Sequence, residues 1–279
     1  MLAQYTQIGF WSMPTFRLAI GIAILLSLTI GLYRQRPRGR LLDVYLAALL
    51  MGIIGARAFH VALNWDYFTD NRAEIGVIGA GGLDWHGALL GGLLGLALML
   101  WLQDWVVRHH PAKPHSIRPS FNALLTSLTV ALPLIGLGGW IGCLAAGCGY
   151  GKEVDTLANY PRWMTSELVD VFGIVAPRYN TPYFGIALCL VGFLLLLIFM
   201  LLGRKLPVPS LTPRCFWGLL AFLSMGMFII GFYRADHTYI IYGLRADQLL
   251  DVIISLWGLI LALRPHVNKG VNAYEQTER

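Results

Sequence analysis

The chemistry-bearing residues of this 279-residue chain are few, and they gather at the ends of apolar stretches. Arg57 and His60 stand three residues apart within one such stretch, so a helix would set them on roughly one face. His86 follows the run Gly79-Ala80-Gly81-Gly82-Leu83-Asp84-Trp85 and begins a stretch with Gly87, Gly91, Gly92 and Gly95. Arg234, Asp236, Arg245 and Asp247 bracket a short polar gap, and Asp251 lies one turn beyond Asp247. Ionisable groups inside a membrane segment are costly and usually face the bundle interior. An imidazole can take a proton near neutral pH. Guanidiniums can hold a phosphate through charge-assisted hydrogen bonds. A layer of several cations with one or two imidazoles suits an anionic lipid head group. The glycine run, if it leads into a helix start, would also offer free amides to an anion.

Each group has a plainer use as well. Arg57 could pair with an acid such as Asp84. His60 is expected to be a packed, hydrogen-bonded core residue rather than a ligand. Arg17, Arg234 and Arg245 stand at span ends and could snorkel to the interface. That reading is preferred for Arg17 and Arg245. Asp251 could serve as a contact between helices or as a site group. For His86 the functional reading leads, because it lies between a Gly-rich turn and a Gly-rich helix face. Cys143 and Cys148 are five apart with no His close in sequence, which speaks against zinc. Small buried thiols are favoured there, with a disulfide left open. Cys189 and Cys215 read as packing residues.

The elements that must position these residues are membrane helices. Hydrophobic residues make up 57% of the chain and charged residues 13%, too apolar for an ordinary soluble domain. A crossing helix needs about 20 apolar residues. The sequence predicts an all-α, polytopic bundle, one transmembrane domain over 1–279, with spans near 15–33, 42–64, 86–107, 121–143, 183–202, 215–233 and 247–263. The gap after span one carries Arg34, Arg36, Arg38 and Arg40. The gap after span three carries Arg108, Lys113 and Arg118 with His109, His110 and His115, and the gap after span five carries Arg204, Lys205 and Arg214. The tail adds Arg264, Lys269 and Arg279. The positive-inside rule then puts the C-terminus in the cytoplasm and the N-terminus outside. These signals account for the net charge of +6, and no basic stripe with interleaved aromatics points to nucleic acid. Trp11, Trp65, Trp85 and Trp105 read as interfacial anchors. Residues 1–10 do not read as a cleaved leader. The gap at 147–182 is long enough to carry function, and 165–172 within it reads as a short interfacial helix. The tail at 272–279 reads as disordered. No two-fold repeat or pair of interrupted spans supports a transporter.

The run Gly81-Gly82-Leu83-Asp84-Trp85-His86-Gly87-Ala88-Leu89-Leu90-Gly91 resembles the His-Gly-Gly-Leu-type motif of prolipoprotein diacylglyceryl transferases. Gly55-Ala56-Arg57 resembles their Gly-Gly/Ala-Arg motif. Gly136-Leu137-Gly138-Gly139-Trp140-Ile141-Gly142-Cys143, with Gly147-Cys148-Gly149-Tyr150-Gly151, resembles their Gly-rich signature. Phe228-Ile229-Ile230-Gly231-Phe232-Tyr233-Arg234-Ala235-Asp236 resembles the close of their sixth span, and Gln248 matches a Gln near the start of their last. The likeness is spread from about Phe16 to Leu261, and the order and spacing of the motifs carry it. It implies transfer of a diacylglyceryl group from phosphatidylglycerol to the lipobox Cys thiol of a prolipoprotein, at the outer face of a bacterial inner membrane, with glycerol phosphate leaving. No cofactor and no metal are implied. The partners implied are the phospholipid, the signal-peptide substrate and the bilayer. By the same likeness His86 is the candidate base, and Arg57 and Arg234 are candidate phosphate partners; Arg245 is a further candidate cation for the phosphate. Gly82, Gly87, Trp140, Gly142, Asp236 and Gln248 would line the pocket.

The chain also departs from the pattern. The signature Arg of the Gly-rich segment falls at Trp140, and a second functional Arg falls at Met227. A Glu falls at Gly231 and a first-span Tyr at Phe16. The His-Pro-Thr/Ser-Gln-Leu-Tyr-Glu stretch is represented by Tyr179-Asn180-Thr181-Pro182-Tyr183-Phe184-Gly185. Neither Trp nor Met can replace a bidentate guanidinium. A non-catalytic lipid-binding homologue is therefore the alternative expectation.

Overall fold

The computed structural model describes residues 3–34, 38–78, 82–109, 120–170, 172–203 and 211–264. Arg36, Lys113, Arg118, Arg204, Lys205, Lys269, Arg279, His110, His115, the stretch 79–81 and the tail at 272–279 lie outside the described residues.

A short hairpin, β1 (Tyr5–Ile8) and β2 (Trp11–Pro14), leads into α1 (Thr15–Arg34). Then come α2 (Arg38–Leu63), the one-and-a-half-turn α3 (Trp65–Asp70), α4 (Trp85–His109), α5 (Phe121–Leu128) and α6 (Ala131–Ala146). A second hairpin, β3 (Thr165–Val169) with β4 (Val175–Tyr179), precedes α7 (Thr181–Gly203) and α8 (Pro213–Gly231). The hairpin β5 (Ile240–Ile241) and β6 (Leu244–Arg245) precedes α9 (Ala246–Leu263). Among the described residues, six helices are long and apolar enough to cross a bilayer, and α5 with α6 makes a further, bent pair at 44°. The break has a local cause. Pro133 has no N–H for the carbonyl of Thr129 and its ring crowds that turn. The architecture is that of a polytopic all-α membrane protein, with helices on each of the expected spans.

Close approach of backbones holds the bundle together. On α2 and α4, a Cβ at Gly55 would collide with the carbonyl of Gly87, and one at Gly91 with the carbonyl of Met51. On α1 and α6, Gly138 faces Ala19 and Ala23, and Gly142 faces Phe16. Gly258 of α9 lies against the backbone of Trp217 on α8. Around these seams sit buried Leu41, Val44, Tyr45, Leu96 and Leu124. Within that cluster the Tyr45 hydroxyl lies 2.6 Å from Ser127 Oγ across the helices.

The loops on one side of the helices form a cap. Backbone bonds tie the long loop to the segment after α8: Lys152 N–H donates to the Tyr233 carbonyl, and Ala235 N–H to that of Tyr150. Two expectations change here. Within the segment expected as a helix, Thr165–Val169 is strand β3, paired with β4. The Asp170 carboxylate accepts from the N–H groups of Phe172 and Ile174, and Gly173 supplies φ +81°, which closes a hairpin instead of propagating a helix. Cys143 and Cys148 form a disulfide, with Cα atoms 4.6 Å apart, where separate thiols had been favoured. The helix ends first: Gly147 takes a left-handed conformation, with its N–H on the Cys143 carbonyl, and the chain folds back so that Cys148 returns to Cys143.

Candidate functional site

His86 opens α4 and is completely buried, 0% exposed. Its Nε2 lies 3.1 Å from Asp251 Oδ1 on α9. Its Nδ1 lies 3.1 Å from Asp84 Oδ1 and 3.2 Å from Oδ2. At least one proton must sit between each nitrogen and its carboxylate, so neither ring lone pair is open to a substrate in this arrangement. Asp84 has a second task. Its Oδ1 accepts from the backbone N–H groups of His86 (2.9 Å) and Gly87 (3.0 Å). The free amides expected for an anion at this helix start are thus taken by the chain's own carboxylate. Burial pushes the Asp84 carboxyl up, but the hydrogen bond and charge of His86 and those two amides outweigh it, and its pKa ends below the usual carboxylate range.

Next to this pair lies a closed ionic ring. Arg234 donates from Nε to Asp236 Oδ1 at 2.9 Å and from Nη2 to Oδ2 at 2.5 Å, and its Nη1 reaches Asp247 at 3.1 Å. Arg245 donates to both oxygens of Asp247, to the Asp236 side chain at 3.3 Å and to its carbonyl at 2.8 Å. Two guanidiniums and two carboxylates leave the ring formally neutral. Arg245 is buried here, not snorkelled to the interface. Gln248 locks the start of α9: its Oε1 accepts from the Arg245 N–H, and its Nε2 donates to the Phe228 carbonyl. Asp251 is within electrostatic reach of Arg234, and Asp247 of His86. The residues His86, Arg234, Asp236, Arg245 and Gln248 are therefore brought together. Asp84, Asp247 and Asp251 complete the group. Asp251, open in the sequence as a helix contact or a site group, is the contact from α9 to His86 on α4, and its pairing with His86 had no signal in the sequence.

Arg57 belongs to a neighbouring group. Its Nε donates to the Ile75 carbonyl (2.9 Å), Nη1 to Gly82 (3.1 Å) and Nη2 to Glu74 (2.5 Å). The guanidinium stands over the Phe68 ring, 5.1 Å from its centroid. A Cβ at Gly82 would lie 2.5 Å from His60 Nε2 and 2.7 Å from Arg57 Nη1, so both nitrogens converge over a residue without a side chain. Asp84 turns to His86. Arg57 also lines an apolar groove of about 450 Å³ with Ile54, Val61, Trp65 and Ile78. Ile54, Trp65 and Ile78 are exposed on the flank of the bundle. Gly87 serves the seam between α2 and α4, where a Cβ would strike the Gly55 carbonyl and Phe59.

Trp140 and Gly142 make packing contacts. Trp140 is buried with Cys189 and Ile230, and Met227 and Phe184 pack on them. Trp140 and Met227, the positions where the resemblance puts two arginines, share one apolar cluster. Gly231 is covered by the Gln248 side chain, 2.5 Å from where a Cβ would be. A further buried cation, Arg178, pairs with Glu153 (2.7 Å) and Asp170 (3.1 Å) and stands over Tyr150. Burial, and then the charges of Asp236 and Asp170, raise the Tyr150 hydroxyl above its ordinary value. Among the described residues no group of three His, Cys, Asp or Glu side chains is placed to hold a metal.

Fold and site together define a multi-pass membrane protein with a buried ionic centre at one end of its helices. A family model described as prolipoprotein diacylglyceryl transferase matches residues 4–264. The chain belongs to that family. It is 29% identical over 270 residues to the phosphatidylglycerol–prolipoprotein diacylglyceryl transferase of Streptococcus mutans, covering 91% of this chain and 93% of the relative. The protein of the same name from Enterococcus faecalis is 27% identical over 100% of this chain and 97% of its own. That of Lysinibacillus sphaericus is 26% identical, over 93% and 92%.

Proposed function

We propose that this chain transfers the diacylglyceryl group of phosphatidylglycerol to the lipobox cysteine thiol of lipoprotein precursors, at the outer leaflet of the bacterial inner membrane. Family membership supports the reaction class. The observation that carries the reading within the molecule is Arg57. It is a guanidinium fixed by three backbone carbonyls in the wall of an apolar, membrane-flank groove. A fixed cation beside hydrocarbon surface fits a phospholipid, with phosphate at the guanidinium and acyl chains along the groove. Arg234 and Arg245 are already neutralised by Asp236 and Asp247. For them to bind phosphate, the lipid must displace a carboxylate. In this reading His86 serves the reaction through Asp84 and Asp251, whose carboxylates it holds, rather than as an open base. The test is to incubate the purified protein with a lipobox peptide and phosphatidylglycerol. A thioether lipopeptide and free glycerol phosphate are the expected products.

A second reading is favoured by one specific observation. Trp140 and Met227 fill with apolar side chains the place where the resemblance expects two cations. A homologue that binds lipid without turning it over would need no charge there. Lipid retained through purification, with no lipopeptide formed from any phospholipid, would support it.

A further inference from the structure

A cleft of about 320 Å³ opens beside the Arg57 group, lined by His60, Asn64, Asp66, Tyr67, Phe68, His237 and Tyr239. It lies between α3 and the segment that follows α8. The Asp66 N–H donates to the Tyr239 hydroxyl at 3.3 Å and joins its two walls. The side chain of Asn64 spans two imidazoles. Its Nδ2 lies 2.9 Å from the His60 carbonyl and 3.4 Å from His60 Nδ1. Its Oδ1 lies 3.3 Å from His237 Nδ1.

These contacts fix the proton positions. A backbone carbonyl can only accept, so the amide nitrogen of Asn64 must face His60 and its oxygen must face His237. The oxygen can only accept in turn, so His237 Nδ1 carries the hydrogen. In a neutral ring the lone pair then sits on Nε2. His60 is held in the opposite sense, with Nδ1 accepting from Asn64 and hydrogen on Nε2. His86 has both nitrogens on carboxylates. Of these three rings, the exposed His237 is the one whose lone pair faces neither a carboxylate nor an amide.

We propose that the Asn64–His237 pair takes the proton of the acceptor thiol, with His237 as the catalytic residue and Asn64 as a positioning residue that holds its ring. The inference rests on the transferase reading and deepens it. The thiol S–H proton passes to His237 Nε2. The thiolate sulfur bonds to the glyceryl carbon that carries the phosphate. The C–O bond to that phosphate breaks, and its electron pair leaves with glycerol phosphate. The imidazolium returns its proton to water. No oxidant, reductant or metal enters the balance.

The test uses the full-length protein with a lipobox peptide and phosphatidylglycerol. His237→Ala should lower kcat about 100-fold, in the range of general-base catalysis, and imidazole added to the buffer should restore about a tenth or more of the wild-type rate. Asn64→Leu should lower kcat with KM unchanged. Asn64→Asp, which keeps an acceptor for Nδ1–H, should recover most of the loss. A His237→Ala protein at the wild-type rate overturns the proposal, and so does a loss that imidazole leaves untouched. In both cases wild-type turnover leaves the transferase reading standing. A wild-type protein that forms no lipopeptide overturns both together.

Discussion

Gly82 shows how much of the site hangs on a missing side chain. Its φ of +70° is a region that costs an L residue about 1–2 kcal/mol. A Cβ there would also push aside His60 Nε2 and Arg57 Nη1. Gly82→Ala is therefore expected to lower the transfer rate at least tenfold, by order of magnitude for a misplaced site group, while the protein still folds. A thermal scan beside the activity assay checks both halves. Asp84 gives a pH signature. Its folded pKa is depressed, so its contribution to stability is complete above its unfolded value of about 4 and is lost as pH falls through the lower folded value. The gap in Tm between wild type and Asp84→Asn should narrow as pH falls below about 4. At this scale the sequence exposed His86, Arg57, Arg234 and Arg245, because charge within or at the end of an apolar span is conspicuous. It hid the distant partner of His86, since Asp251 is 165 residues away and nothing local links them. The Asn64–His237 contact spans 173 residues and was hidden for the same reason.

Between helices, small residues decide how close the backbones come. A methyl group at Gly55 would meet the Gly87 carbonyl, whereas one at Gly139 has nothing within 4 Å. Gly55→Ala is expected to destabilise by about 1–3 kcal/mol, the usual cost of overpacking. Gly139→Ala should be neutral or slightly stabilising, because alanine restricts the unfolded chain and favours helix. Denaturation of the two variants in the same detergent compares them. The spans were legible because run length and hydropathy are local properties. The β3–β4 hairpin was missed because an aromatic, mixed-charge segment fits an interfacial helix equally well until Asp170 and Gly173 are seen to close a turn. The disulfide, left open by the sequence, was the less favoured reading for a related reason: five residues separate its cysteines along a helix, but the helix stops at Ala146.

Across the whole molecule, the ionic ring, the His86 pair and the cleft lie toward one end of the bundle, under loops that bond to one another. The positive-inside rule predicts that this end faces outward and that the C-terminus is cytoplasmic. A fluorescent protein that matures only in the cytoplasm, fused after Arg279, should therefore light up, and alkaline phosphatase at the same place should stay inactive. The reverse pattern would move the site to the wrong leaflet for exported lipoproteins. Transfer chemistry at that end is checked by mass spectrometry of a lipobox peptide incubated with the purified protein and phosphatidylglycerol. The expected result is a peptide heavier by one diacylglyceryl group on its cysteine sulfur, with glycerol phosphate released in equal amount. A peptide of unchanged mass, under conditions where the Streptococcus mutans relative modifies it, would mean that this protein is not a transferase of that substrate.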